Sequence, residues 1–207
     1  RTSYLKQVKA EKNTAMDMPR ETDAMRRSSD AAQNDILRSL PRWGKLTEYL
    51  RRQNLPLFKN TDMTYFPTGE AYLEDLLEQM KKAERFIFLE YYIASKGQIW
   101  DQVCDILTQR AAAGVEVCLI LDDFGSMMTM PPEEISALRK KGVWVKMFGP
   151  VHRYVNRLYF NYRDHRKIAI IDGDIAYTGG ANLADEYANL IVRFGYWKDC
   201  GIRLEGE

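Results

Sequence analysis

A chain of 207 residues suits one globular domain with an appendage. Its formal net charge of +1 lacks the basic excess of a typical nucleic-acid binder, and 45% hydrophobic residues suffice for a buried core. Three cysteines, Cys104, Cys118 and Cys200, without paired spacing, argue against a disulfide framework and against a zinc site; Cys104 and Cys118 fall on apolar faces, as buried free thiols of a reducing compartment would.

No apolar run approaches the roughly 20 residues that a membrane span needs, and no signal peptide is visible. The first residue is Arg1 rather than Met, as expected of a piece of a longer protein whose membrane anchor lies elsewhere.

Residues 1–34 are polar and weakly periodic, which predicts a loosely docked helical arm. Ile36, Leu37, Leu40, Trp43, Leu46, Tyr49 and Leu50 then take helical spacing, interrupted at Pro41. The division expected is a polar helical N-terminal arm over 1–56 and a catalytic half-domain over 57–207. Thr68 can cap a helix with Tyr72, Leu73, Leu76, Leu77 and Met80 on its apolar face. Phe86-Ile87-Phe88-Leu89, running on through Tyr91-Tyr92-Ile93, reads as a buried strand. A second amphipathic helix carries Ile99, Trp100, Val103, Ile106 and Leu107 and stops at Gly114. Val115–Leu121 forms the next strand, a short helix follows Pro131-Pro132 up to Gly142, and Val143–Phe148 is a third strand. This β-α-β-α-β rhythm predicts an α/β fold with a mixed, largely parallel sheet flanked by helices.

The rhythm then changes. Lys167–Ile171 and Ile175–Thr178 are strands joined by Asp172-Gly173-Asp174, a hairpin signal. Residues 183–190 read as helical and Cys200–Leu204 as a last strand.

The chemistry gathers on this hairpin. His165 and Lys167 lie two residues apart at the start of a strand, so both face one side while Arg166 faces the other. An ammonium beside an imidazole receives a phosphate: Lys supplies charge to the oxygens and neutral His can attack phosphorus. The returning strand ends in Gly179-Gly180-Ala181-Asn182. Glycine lets the backbone approach a ligand closely, and the Asn182 amide can donate to a phosphate oxygen. Hairpin pairing brings Gly180 and Asn182 back beside His165 and Lys167. Asp172 has the opposite parity and stands at the turn, so its expected work there is bracing.

His165-x-Lys167, four residues, Asp172, six residues, then Gly179-Gly180-x-Asn182 resembles the signature of the phospholipase D superfamily. Phe160-Asn161-Tyr162-Arg163-Asp164-His165-Arg166-Lys167, Asp122-Asp123-Phe124-Gly125-Ser126, Gly180–Tyr187 and Trp197-Lys198-Asp199 are similar to the first half of bacterial cardiolipin synthases. The resemblance covers roughly Phe66 to Gly206 and implies a phospholipase D-like half-domain. It implies a phosphatidyl group moved between two phosphatidylglycerol molecules through a phosphatidyl-histidine, releasing glycerol. His165, Lys167 and Asp172 would be the motif's catalytic residues, and Gly180 and Asn182 would bind substrate. No metal or other cofactor is implied, because Lys and Asn groups neutralise the phosphoryl oxygens.

The resemblance further implies an acidic residue that orients the histidine: Asp199 is the candidate and Glu90, in a buried strand, its rival. A second phospholipase D-like half is required, from the same parent chain or from a homodimer partner. The implied place is the cytoplasmic side of a bacterial membrane, with anionic phospholipid as partner and no nucleic acid. The alternative is a phosphodiester hydrolase, on lipid or nucleic acid, acting as a homodimer. His152 reads as a loop histidine. Arg153, Arg157, Arg163 and Arg166 are either a solvated loop or a contact for anionic headgroups. Leu158-Tyr159-Phe160 and the apolar loop of Met127, Met128 and Met130 are either core packing or contacts with lipid.

Overall fold

The computed structural model describes residues 23–53, 55–151, 163–193 and 195–206. His152, Arg153, Arg157 and Leu158-Tyr159-Phe160 lie outside the described residues, as do Arg1–Thr22 of the arm. The described residues fall into two compact units, one running up to Asn60 and one over Thr61–Gly206.

In the first unit, helix α1 (Asp23–Ser39) stops just before Pro41, which opens a 3-10 turn, Pro41–Trp43, leading into α2 (Gly44–Arg52). Proline cannot donate to a helix ladder, so the break falls where the sequence predicts it. Glu48 ties the unit together by accepting from Gln33, Arg51 and Arg52.

The second unit holds a seven-stranded mixed sheet. Its strands are β1 (Asp62–Phe66), β2 (Phe86–Tyr91), β3 (Glu116–Asp122), β4 (Trp144–Phe148), β5 (Lys167–Ile171), β6 (Ile175–Gly179) and β7 (Gly201–Glu205). The spatial order is β1-β7-β6-β5-β2-β3-β4. Strands β2, β3 and β4 are parallel, joined by helical crossovers of the predicted kind. All remaining pairs, β2 with β5, β5 with β6, β6 with β7 and β1 with β7, are antiparallel. The sheet is therefore mixed as expected, but its balance is antiparallel. A hairpin turn, which can join only antiparallel neighbours, accounts for β5 with β6; the other three antiparallel pairs bring together strands that are distant in sequence. Strand β1, whose residues show no clear alternation, gains its place by pairing with β7 at the sheet edge.

Helix α3 (Gly69–Lys82) is capped by Thr68, whose hydroxyl accepts from the Ala71 N–H, and it buries Tyr72, Leu73, Leu76, Leu77 and Met80. Helix α4 (Gln98–Ala112) buries Ile99, Trp100, Val103, Ile106 and Leu107. A four-residue helix, α5 (Asp123–Ser126), follows β3, and α6 (Pro132–Lys140) precedes β4. The apolar faces of α3, α4 and α6 join Ile87, Leu89, Tyr91, Val117, Leu119, Leu121, Ala169 and Ile171 in one core. Each buried methylene contributes on the order of 0.8 kcal/mol, so these faces hold the elements in place. The alternation along β5 puts Lys167 in the same row as Ala169 and Ile171, which directs an ammonium toward the core side.

The Asp172-Gly173 turn forms as predicted, with both residues at positive φ (57° and 87°). It is the far end of the hairpin from His165. At the near end, the carboxyl ends of β2, β3 and β6 meet the amino ends of β5 and β7. The parallel part of the sheet joins the antiparallel part along β2, whose carboxyl end lies here.

Candidate active site

Lys167 opens β5 beside the end of β2, paired with Tyr91. It is 5% exposed, so its ammonium must find partners within the protein. Its Nζ donates to the backbone oxygen of His165 at 2.8 Å and lies 3.1 and 3.2 Å from the two His165 ring nitrogens. The two side chains thus share one side, as their spacing requires. Burial pulls the Lys167 ammonium below its ordinary range, and the charges of Asp199 and Asp164 oppose that pull. His165 itself is exposed, where a ligand can reach it.

The pairing of Ile168 with Thr178 continues the hairpin so that Gly179 to Asn182 return toward this end. Asn182 is 3% exposed, and its Oδ1 accepts from the Ile93 N–H at 3.0 Å. Its amide group also faces the Tyr187 hydroxyl and opposes the upward pull of burial on that group. An amide nitrogen carries two hydrogens, so one remains for a ligand oxygen. Gly180 is close to Asp199: a Cβ at 180 would stand 2.2 Å from Asp199 Oδ1. Only glycine allows that approach.

The Asp199 carboxylate accepts from the Cys200 N–H at 2.8 Å and from Trp197 Nε1 at 3.2 Å. Toward the His165–Lys167 pair it acts through its charge, which favours the Lys167 ammonium. Glu90, the rival, pairs with Ile168 across β2 and β5, so it faces away from the Lys167 row. Its carboxylate meets Arg166 Nη2 at 2.5 Å and shares a hydrogen bond with Asp164. Burial and the Asp164 carboxylate together push Glu90 up to about 7. Burial would raise Asp164 as well, but hydrogen bonds from Arg166 and Glu90 outweigh it and take Asp164 down to about 2. Glu90 thus belongs to a charged cluster behind His165.

Asp172 takes no part in this grouping. Its carboxylate accepts from the N–H groups of Glu84, Arg85 and Phe86 at 2.7–2.9 Å. It braces the turn against the start of β2, at the opposite end of β5 from Lys167. Alternation and strand length set its carboxylate apart from the His165 side chain.

Several residues near the site carry no sequence signal of their own role. Asp122, with a fully buried side chain, accepts from the Asp164 N–H at 2.9 Å, from Arg163 at 3.3 Å and from Gly125 at 3.0 Å. It fixes the backbone that leads into His165. Asp185 accepts from the Gln98 and Ile99 N–H groups, capping α4 from a distant loop. Tyr92 packs its ring against the His165 ring at 4.6 Å between centroids. In the methionine loop, Met130 is buried while Met127 and Met128 are 48% and 85% exposed.

Residues 76–191, more than half of the chain, match the family described as the cardiolipin synthase, PLD-like domain. The chain belongs to that family. An uncharacterized protein of Streptococcus mutans is 47% identical over 163 residues, covering 78% of this chain and 35% of that protein. A cardiolipin synthase of Oceanobacillus iheyensis is 36% identical over 159 residues, covering 77% of this chain and 33% of that protein. Among solved structures, NucT from Helicobacter pylori superposes with a TM-score of 0.53 at 17% identity, covering 70% of this chain and 86% of that one; it is similar in fold. The chain spans about a third of the length of the curated relatives it matches.

Proposed function

We propose that this chain supplies one half of a phosphatidyltransferase site that makes cardiolipin. The donor is phosphatidylglycerol. A histidine nitrogen attacks its phosphorus, the phosphorus–oxygen bond to the terminal glycerol breaks, and glycerol leaves with a proton from a second histidine. A hydroxyl of a second phosphatidylglycerol, deprotonated by that same histidine, then displaces the histidine to give cardiolipin. Two displacements of moderate barrier replace one difficult step. His165 is one of the two histidines, and its counterpart comes from a second phospholipase D-like half, in the parent chain or in a partner copy.

The observation that carries this reading is the approach of Lys167 Nζ to both His165 ring nitrogens in a chain of this family. Lys167 and the spare Asn182 hydrogen would neutralise the phosphoryl oxygens, and Gly180 would let the phosphate come close to the backbone. Asp199 favours the Lys167 ammonium by its charge and would hold the charge balance of the site. The lipid surface would be anionic and bacterial, met on its cytoplasmic side, and exposed Met127 and Met128 would touch it. Among the described residues no helix is long and apolar enough to cross a membrane.

The test is to incubate the natural full-length protein with labelled phosphatidylglycerol in vesicles. Cardiolipin and glycerol are expected in equal amounts, and His165→Ala should abolish both. Phosphatidic acid as the sole product would replace transfer by hydrolysis, and full transfer by His165→Ala would remove His165 from the chemistry.

A further inference from the structure

We propose that Tyr92 is a positioning residue for the His165 imidazole, and that the Asp122–Ser126 turn serves to hold Tyr92 in place; this rests on the reading of His165 given above. The ring of Tyr92 lies 4.6 Å from the His165 ring, tilted by 54°. Its face also lies 5.5 Å from Lys167 Nζ. One aromatic ring therefore touches both members of the His-x-Lys pair. Aromatic contacts of this spacing are directional, and a cation near the ring face is attracted by its quadrupole. The effect is to limit rotation of the imidazole while keeping the ammonium beside it.

Tyr92 lies just past the end of β2, where the ladder no longer dictates its conformation. The turn after β3 takes over that task. Ser126 Oγ donates to the Tyr92 carbonyl at 3.3 Å and accepts from the Ala94 N–H at 3.1 Å. Gly125 packs so closely that a Cβ there would stand 2.2 Å from the Tyr92 carbonyl oxygen and 2.9 Å from two of its ring atoms. Asp122, which closes the turn through the Gly125 N–H, also holds the Asp164 N–H next to His165. One turn thus fixes the backbone on both sides of the ring contact. Tyr92 meets His165 and Lys167 through its ring, so the ring is the part that acts.

The experiment compares Tyr92→Phe and Tyr92→Leu in the natural full-length protein, with phosphatidylglycerol vesicles as substrate. Tyr92→Phe keeps the ring and should stay within about threefold of the parent, since the aromatic contact survives. Tyr92→Leu should lower kcat by roughly 10- to 100-fold with KM nearly unchanged, the signature of a misplaced reacting group. The His165 Hε1 proton resonance gives a reading that needs no activity. The ring current of residue 92 displaces it, so it should move in Tyr92→Leu and stay in Tyr92→Phe. Equal activity of the two variants, or an unmoved resonance in Tyr92→Leu, overturns the proposal. Should His165→Ala keep full transfer, the functional reading itself fails; a dead His165→Ala with a normal Tyr92→Leu removes the Tyr92 role alone.

Discussion

Lys167 combines a charge with almost complete burial, and its hydrogen bonds go to the residue whose chemistry it would assist. A buried ammonium without that use would cost stability, since desolvation is repaid only by well-placed partners. Lys167→Met should therefore lower transfer by about 10²- to 10³-fold, the usual loss when a preorganised charge is removed. Its thermal midpoint should stay level or rise, as scanning calorimetry will show. Asp172 is the reverse case. Burial raises its carboxyl, but N–H bonds from Glu84, Phe86 and Arg85 bring it below the ordinary range. Stability from this group is present above the usual aspartate range and is lost as pH falls through its depressed value. Asp172→Ala should cost about 1–3 kcal/mol of stability in denaturant titrations, the loss expected for orphaned donors. Any activity that remains should show an unchanged KM.

At the scale of elements, β5 divides two electrostatic regions. Lys167 occupies its core side, and Arg166 with Glu90 and Asp164 occupies the other. Glu90 holds its proton up to about 7, whereas an unfolded glutamate releases it near 4.5. Between those values the folded chain binds more protons than the unfolded one, so stability falls as pH rises across that window. Glu90→Gln removes that titration. Its stability relative to the parent should grow from about pH 4.5 to 7, measured by urea unfolding at stepped pH. The groups facing Glu90 in this cluster are Asp164 and Arg166, and both keep their charge through the window.

At the scale of the molecule, the chain offers one His-x-Lys pair and spans about a third of its relatives. The proposed reaction needs two histidines. Mass measurement in solution, by sedimentation, should find this chain monomeric and inactive by itself, and adding the second half should restore transfer. A stable, active homodimer would instead show that two copies complete the site.

Residue spacing alone determines helices α3 and α4, the β5–β6 hairpin and the grouping of His165 with Lys167, because alternation and 3.6-residue periodicity are local rules. Parity in the same way sets Asp172 off the His165–Lys167 face, but the N–H groups it braces, on Glu84, Arg85 and Phe86, come to it only through the pairing of β2 with β5. What spacing does not reach depends on residues far apart in sequence. The Asp122 carboxylate holds Asp164, Asp185 caps α4, and Tyr92 meets His165 only once β2 and β5 lie side by side. The antiparallel balance of the sheet and the turning of Glu90 away from the site are likewise decided by strand order. Periodicity says which face a side chain takes on its own strand; only packing decides which strand becomes its neighbour.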